Sequence, residues 1–343
     1  MPQSAALDFL RYRETLITSS NPSHDYLIGY DAAEYRMGLW KALGYIAPHW
    51  TPKQQRAIEA DLQLSGTSFN EPKYLQAACE TTISATLGCM FPGSFVYERK
   101  IKPPKDVDCS FERGGFTFNF EIKCPDYSKK QAIDEAHAFK IGAFGRMEDY
   151  QSIVESLQRE VFNIEANPNA DLNKPLIKQQ HMDNKLKDFL LSAHGKFADD
   201  CQEDELNVLV VCCPDQMSMQ AWFFYMFGLQ GLLTPGSYHP PKEYSNVDSV
   251  ILTNVYHRHY DYKNKDKLSD HWDWRKSFNL IFSNPLRKRE KKEASWKLVD
   301  LIPNHSLEVM NFDMKNGLDE MRIVHFIVEE LLAKGEYYFQ PEI

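Results

Sequence analysis

Two adjacent glycines, Gly114 and Gly115, separate two stretches in which apolar and polar residues alternate. A type I′ hairpin turn needs positive φ at both central positions, and glycine adopts that conformation without steric cost. Because a two-residue turn fixes which residues face each other, it places Asp108 directly opposite Glu121 on the paired strands. The feature therefore predicts an antiparallel hairpin that carries two facing carboxylates.

The alternation also sorts the side chains of the hairpin onto two faces. One face is wholly apolar and consists of Val107, Cys109, Phe111, Phe118, Phe120 and Ile122. The other face is polar and pairs Asp106 with Lys123, Asp108 with Glu121, Ser110 with Asn119, and Glu112 with Thr117. A shift of the pairing by one residue would place both facing carboxylates among phenylalanines, so the pattern favours this register.

Facing carboxylates with Cβ atoms about 5 Å apart repel each other and are unfavourable in a sheet. A bound divalent cation removes the repulsion between Asp108 and Glu121, because oxygen ligands from two strands can share a hard ion such as Mg²⁺. Such an ion polarises a phosphoryl oxygen and lowers the pKa of bound water. Lys123 projects from the same face, where its charge could orient an attacking water or offset charge on a phosphate. We therefore expect metal-assisted hydrolysis of a phosphodiester.

Asp108, followed after twelve residues by Glu121-Ile122-Lys123, resembles the motif of the PD-(D/E)xK nuclease superfamily, which has the restriction-endonuclease-like fold. In that family the aspartate begins the second core strand and the E-x-K sequence lies in the third. The resemblance implies that Asp108, Glu121 and Ile122 hold Mg²⁺, for which Mn²⁺ can substitute, and that Lys123 is catalytic. Val107 stands where the motif has its proline.

Two further catalytic positions are implied by the resemblance, which covers roughly residues 70–130 and 206–213. Many members carry an acidic residue on the helix before the first core strand, which here implies Glu80, although a surface position on the helix explains Glu80 equally well. Some members carry a glutamine on the helix after the third strand, which implies Gln180 or its neighbour Gln179.

Outside the hairpin, the periodicity of apolar residues predicts helices and strands in mixed order. The predicted helices lie within the first 64 residues, including Thr51 to Leu62, and at Asn70 to Leu87, Lys129 to Phe162, Lys174 to Ala193 and Asp319 to Leu332. The predicted strands are Ser94 to Ile101, Asp106 to Glu112, Phe116 to Cys124, Leu206 to Cys213, Trp222 to Phe227 and Val250 to Tyr256. We expect an α/β fold with a mixed central sheet flanked by helices.

Together with the resemblance, this order implies three regions. A helical N-terminal extension occupies 1–68, a restriction-endonuclease-like core occupies 69–260 with a helical insertion at about 129–200, and a C-terminal accessory region occupies 261–343.

The net charge of −9 argues against a positively charged surface overall, so DNA, the expected partner, would have to bind at a local basic segment. The run Arg287 to Lys292 is one candidate, with a solvated surface as an equal alternative. Seven cysteines without a CxxC pair indicate reduced thiols instead of a zinc site. The sequence shows no signal-peptide pattern and no membrane-spanning stretch, so we expect a cytoplasmic protein without membrane contact. The sequence is compatible with a homodimer as well as with a monomer.

Other interpretations stay beside this one. His257 and His259 would share one face of a strand, but without a third ligand a structural role is favoured over a metal pair. Trp272, Trp274 and Arg275 could stack on bases, although such residues usually pack in a core. The main alternative function is a nuclease-like fold kept as an interaction module without catalysis. A further alternative is an α/β protein with an accidental motif, acting on another substrate.

Overall fold

The computed structural model describes residues 21–28, 32–127, 139–141, 176–178, 182–200, 202–228, 230–264, 268–302 and 308. The chain divides into two compact units, one formed by Met1–Pro125 with Lys187–Ile343 and the other by Asp126–Leu186. The boundaries near residues 68 and 260 that the sequence suggests stay a prediction. Within the described ranges, no helix is both long and apolar enough to cross a lipid bilayer.

Six of the described strands form a mixed sheet in the first unit. In chain order the strands are β1 (Val96–Lys102), β2 (Lys105–Arg113), β3 (Phe116–Lys123), β4 (Phe139–Ile141), β5 (Leu176–Lys178), β6 (Glu205–Cys212), β7 (Ser249–Thr253) and β8 (Asn279–Ser283). The described residues of the first unit form a six-stranded sheet in the order β1-β2-β3-β6-β7-β8. Its β3–β6 and β6–β7 pairs are parallel, and the other three pairs are antiparallel. The expected α/β class with a mixed sheet is confirmed.

In chain order, the α-helices are α1 (Ala33–Ile46), α2 (Pro52–Asp61), α3 (Glu71–Met90), α4 (Met182–His194), α5 (Gln216–Phe227), α6 (Val255–Tyr260) and α7 (Lys292–Leu301). Two of them begin at a cap that the sequence predicts. At the start of α2, Thr51 and Gln54 form a reciprocal capping box. At the start of α3, the Asn70 side chain accepts the Lys73 backbone N–H at 3.0 Å. Both predicted helix starts are therefore confirmed.

The β2–β3 hairpin has the predicted register. Gly114 and Gly115 have φ values of +58° and +82°, as a type I′ turn requires. Cys109 pairs with Phe120 and Ser110 pairs with Asn119 across the two strands. The turn chemistry and the alternation together determined this register.

The apolar face of the hairpin packs under the end of α3. Phe111 is 1% exposed and stacks on Phe91 with ring centroids 4.2 Å apart. Phe118 and Phe120 are fully buried beside it. Burying one such ring contributes about 1.5–3 kcal/mol, so this face holds the hairpin firmly against the helix.

A buried hydrogen-bonded chain joins α1, α3 and α6. Tyr74 donates to the Tyr35 hydroxyl at 3.0 Å, and Tyr35 donates to His259 Nδ1 at 2.7 Å. His259 Nε2 lies 2.8 Å from the Thr82 hydroxyl, whose own proton goes to the Ala78 carbonyl. With Nδ1 accepting from Tyr35 and Nε2 donating to Thr82, the bonds fit a neutral His259 imidazole that is protonated at Nε2. His259 therefore has a structural setting.

Two of the predicted strands were wrong, one wholly and one in its last part. Trp222 to Phe227, predicted as a strand, lies in α5, where the Asp215 side chain accepts the Ser218 N–H at 2.6 Å and caps the helix. A continuous apolar run does not by itself distinguish a buried strand from a buried helix. Val250 to Tyr256 is a strand only as far as Thr253, because α6 then begins.

The predicted helices at 129–162 and 174–193 each contain a short strand. Phe139–Ile141 and Leu176–Lys178 pair in parallel, and the later helix begins only at Met182. Phe-Lys-Ile alternates in the strand period, which the wider helical pattern obscured. The rest of 129–162 and the helix predicted at 319–332 lie outside the described residues.

Candidate active site

The hairpin brings Asp108, Glu121 and Lys123 together on its polar face. Glu121 is fully buried, and its Oε1 lies 2.5 Å from Lys123 Nζ. Asp108 Oδ2 accepts the backbone N–H of Ile122 at 2.5 Å, which ties the aspartate of one strand to the next strand. The expected partner of Lys123, Asp106, forms no ion pair with it in the described part of the chain. Lys123 pairs instead with Glu121, two residues earlier on the same strand.

A second lysine, Lys196, reaches the same carboxylates. Its Nζ lies 2.7 Å from Glu121 Oε1 and 2.8 Å from Oε2, and 3.9 Å from Asp108 Oδ1. Lys196 follows α4 in the connection to β6, where the fully buried Phe197 anchors the backbone next to it. The role of Lys196 is not predicted from sequence, because nothing in its local sequence links it to a hairpin more than seventy residues earlier.

Glu80 lies close to these groups, as the resemblance implies. It belongs to α3, the helix before β1, and accepts a hydrogen bond of 3.3 Å from the Tyr97 hydroxyl. Burial raises the pKa of Glu80 to about 7, and the charge of Lys123 opposes this rise while that of Glu121 adds to it. A carboxyl group sensitive to both charges belongs to the same electrostatic cluster, so the surface-helix interpretation of Glu80 is the weaker one.

The other charged groups of the cluster influence one another strongly. Burial raises the pKa of Asp108 well above its usual range, and the negative charges of Glu121 and Glu80 raise it further. Burial acts to lower the pKa of Lys123, but the nearby carboxylates outweigh it, so this pKa is raised. Three carboxyl groups therefore share two ammonium groups, and an added cation would favour the ionised form of Asp108.

The residues present fit a divalent cation. Glu121 Oε1 is buried and, among the described residues, receives no well-directed hydrogen bond, although both lysines lie within ion-pair distance. The described part of the chain has no group of three or more His, Cys, Asp or Glu side chains arranged to hold a metal. Mg²⁺, however, is commonly bound by one or two carboxylates with several waters. Ile122 could add only its backbone carbonyl, since its side chain is apolar and buried.

A ladder of buried polar side chains continues this face of the sheet. Arg99 Nη1 donates to Ser110 Oγ at 3.1 Å, and Ser110 donates to Asn119 Oδ1 at 2.9 Å. Asn119 Nδ2 donates to Asn207 Oδ1 at 2.9 Å, and Asn207 Nδ2 donates to the Asn246 carbonyl at 3.0 Å. Each side chain donates a hydrogen bond to the next residue, so these polar groups are paired although they lie in the interior.

Of the other residues that the sequence suggests, Gln179 and Gln180 lie outside the described residues. Trp272 and Trp274 are buried. Arg275 bonds Asp273.

The histidine pair is not a metal site, because α6 replaces the expected strand. His259 lies in the buried chain described above, and His257 Nδ1 lies 3.1 Å from the Pro214 carbonyl.

Comparison of the chain with protein-family models, with curated proteins and with solved structures gives no match.

Proposed function

We propose that the protein is a metal-dependent nuclease that hydrolyses phosphodiester bonds in DNA. The observation that carries the proposal is the convergence of Asp108, Glu121, Lys123 and Lys196 on one point of the hairpin face. Carboxylates that face each other across two strands are unfavourable without a cation, and lysines beside them suit an anionic substrate.

The carboxylates would hold the metal. Asp108 and Glu121 would supply side-chain oxygens to Mg²⁺ or Mn²⁺, with the Ile122 carbonyl as the available backbone ligand. When bound, such an ion polarises a phosphoryl oxygen and makes hydroxide available near neutral pH. The backbone N–H of Ile122 holds Asp108 in place, and burial keeps Glu121 in a single position.

The lysines would act on the substrate. Lys123 and Lys196 are each partly exposed, with 24% and 20% of their side-chain surface accessible, so both ammonium groups can meet an incoming phosphate. One positive charge can orient the attacking water, and the other can offset charge that develops on the phosphate oxygens. The partly exposed Glu80, whose pKa is raised to about 7, can hold or release a proton at the edge of the cluster.

The proposal includes a restriction-endonuclease-like core. It is supported by a helix with an acidic residue before β1, by the antiparallel β1–β3 meander, and by β6 parallel to β3. Fold alone does not determine activity, so the site residues remain the test.

The decisive experiment assays purified protein on supercoiled, linear and single-stranded DNA and on RNA, with Mg²⁺ or Mn²⁺. We expect metal-dependent cleavage of DNA that Asp108→Asn abolishes and Lys123→Met lowers by about 10²–10⁴-fold. Glu112→Gln, at the exposed end of the same strand, is the matched control and should cleave normally. Cleavage that persists undiminished in Asp108→Asn would place the activity elsewhere.

A non-catalytic interaction module is the second candidate. It is favoured by one observation, the ammonium group of Lys196 bridging both carboxylates, because this pairing neutralises the face without a metal. For this candidate, the wild type should bind nucleic acid and be as inert as Lys123→Met with every metal tested.

A further inference from the structure

A second charged cluster surrounds Asp199, three residues beyond Lys196. The Asp199 carboxylate accepts a hydrogen bond of 2.6 Å from Lys102 Nζ and one of 3.0 Å from Asn246 Nδ2. Asn246 is 3% exposed, and its backbone is held by bonds to Asn207 and His194, so its amide is fixed in this position. The donors therefore converge on one anionic group from a preformed surface.

Two further lysines approach the same surface from distant parts of the chain. Lys288 Nζ lies 3.3 Å from the Asp199 carbonyl and 4.0 Å from its Oδ1. Lys105 Nζ passes so close to the backbone of Gly195 that a Cβ there would lie 3.0 Å from it. Strands β1 and β2 and the turn after β8 thus bring positive charge to the connection that also carries Lys196.

Two of these lysines, Lys102 and Lys105, lie so close together that an anion between them would be favourable. Lys102 and Lys105 are register partners at the end of the β1–β2 pair. Like charges directly opposite each other destabilise a sheet unless a counter-charge lies between them. Hydrogen bonds to the Asp199 carboxylate, first from Lys102 and second from Asn246, hold its pKa at about 2.

The basic run at 287–292 contributes less to this surface than its sequence suggests. Arg287 bonds Glu290, and Lys291 is buried against Asp248 at 2.9 Å. Those two residues hold the turn in place, whereas Lys288 extends to Asp199 with 45% of its side chain exposed.

We propose that Lys102, Lys105, Lys288 and Asn246 form a phosphate-binding surface for the nucleic-acid backbone, with Asp199 as the internal anion that holds Lys102 and Lys288 together in the free protein. The proposal rests on the proposed function, because the connection that carries Asp199 also carries Lys196 of the candidate active site. A phosphodiester on this surface lies beside the one that is cleaved and fixes the path of the strand. The phosphodiester oxygens accept the hydrogen bonds that Asp199 accepts in the free protein.

This arrangement predicts opposite effects for charges that are neighbours in the structure. Binding of a fluorescent DNA duplex, and of an RNA duplex of the same sequence, is measured by anisotropy in Ca²⁺ between 50 and about 300 mM salt. Lys102→Gln and Lys288→Gln should weaken binding, and each should reduce the slope of log affinity against log salt by about one. Asp199→Asn should tighten binding, since it removes a competing anion.

The exposed ion pair between Lys73 and Asp61, 3.2 Å apart, provides matched controls. Lys73→Gln and Asp61→Asn make the same changes in net charge away from the surface and should leave affinity and slope unchanged. If Lys102→Gln and Lys288→Gln behave like Lys73→Gln, or Asp199→Asn like Asp61→Asn, the proposed surface is wrong. Thermal melts of all variants confirm that each is folded.

Cleavage is measured separately in Mg²⁺, so the two proposals can fail independently. A wild type that cleaves DNA while the lysine variants bind normally overturns the surface and leaves the nuclease. A wild type that shows the predicted binding effects without cleavage supports the surface and overturns the nuclease. A wild type that binds neither duplex overturns both.

Discussion

At the scale of single residues, the behaviour of the candidate site depends on Glu121. Its carboxylate is wholly buried and is approached by two ammonium groups, from Lys123 on the same strand and from Lys196 on a distant connection. A buried carboxylate without compensation would be strongly unfavourable, so these lysines provide the opposite charge that Glu121 needs in the absence of a metal.

We predict that Lys196→Met destabilises the protein in EDTA and that Mn²⁺ restores its stability. Losing one partner of a buried ion pair costs about 3–5 kcal/mol, and we expect about 1–3 kcal/mol here because Lys123 still faces Glu121 and Lys196 is partly exposed. A divalent ion would replace the lost charge, so Mn²⁺ should raise the melting temperature more in the variant than in the wild type. Thermal denaturation followed by circular dichroism measures both effects.

Lys73→Met is the control for this substitution, because Lys73 belongs to an ion pair that is more than half exposed on both sides. Its stability should change by about 0.5 kcal/mol or less. A Lys196→Met protein that melts with the wild type in EDTA would show that Lys196 does not compensate Glu121.

The site residues divide into those that local sequence can reveal and those that it cannot. Asp108, Glu121 and Lys123 are found because a two-residue turn and strict alternation fix their positions relative to each other. The position of Lys196 depends on how the connection after α4 packs against the hairpin, which no periodicity in the chain encodes. Asp106 was assigned to Lys123 from register alone, although the rotamer of a lysine decides which carboxylate it meets.

At the scale of secondary structure, prediction succeeded where local chemistry is decisive. Caps at Thr51 and Asn70, the glycine turn of the hairpin, and the apolar run of β6 each identified an element correctly. It failed for α5, whose aromatic residues suit a strand or a buried helix equally well. Only the Asp215 cap distinguishes the two, and its effect depends on the conformation of the preceding loop.

The buried chain that joins α1, α3 and α6 makes stability depend on pH. Burial lowers the pKa of His259 well below its usual range, with the charges on His271 and Arg258 acting in the same direction. The unfolded chain then binds a proton that the folded chain does not, so stability falls as pH falls below about 6.5. Protonation would also oblige His259 Nδ1 to donate, which breaks the bond from Tyr35.

We predict that His259→Gln reduces the loss of stability between pH 7.5 and 5, while lowering stability at pH 7.5 itself. Urea unfolding at several pH values measures this, and the comparison with the wild type is necessary because Glu80 and Asp108 act in the opposite direction. Their raised pKa values make the folded state bind more protons in acid. An identical pH dependence in the two proteins would contradict the assignment to His259.

At the scale of the whole molecule, a net charge of −9 gives nucleic acid no general attraction. The proposed binding of nucleic acid would therefore depend on local positive charge, and the proposed metal would stabilise the unit that contains the sheet. A ligand present at 100 times its dissociation constant stabilises the folded state by about 2.7 kcal/mol.

We accordingly predict that millimolar Mn²⁺ raises the melting temperature of the wild type by a few degrees, and that Asp108→Asn and Glu121→Gln lose this response. Differential scanning calorimetry with Mn²⁺ and with EDTA measures the shift. Glu112→Gln should respond as the wild type does. Equal shifts in all four proteins would mean that the metal binds outside the proposed site.

The ladder of buried polar side chains has a consequence for the uniqueness of the fold. Sliding one strand by two residues preserves the alternation of inward and outward side chains, so hydrophobic patterning cannot oppose such an error. In the native register Asn119 faces Asn207, whereas a shift of two would place it against Glu205 or Leu209. Each buried amide left without a partner would cost about 1–3 kcal/mol. The ladder thus disfavours a shift of one strand by two residues, a mispairing that the apolar core alone would accept.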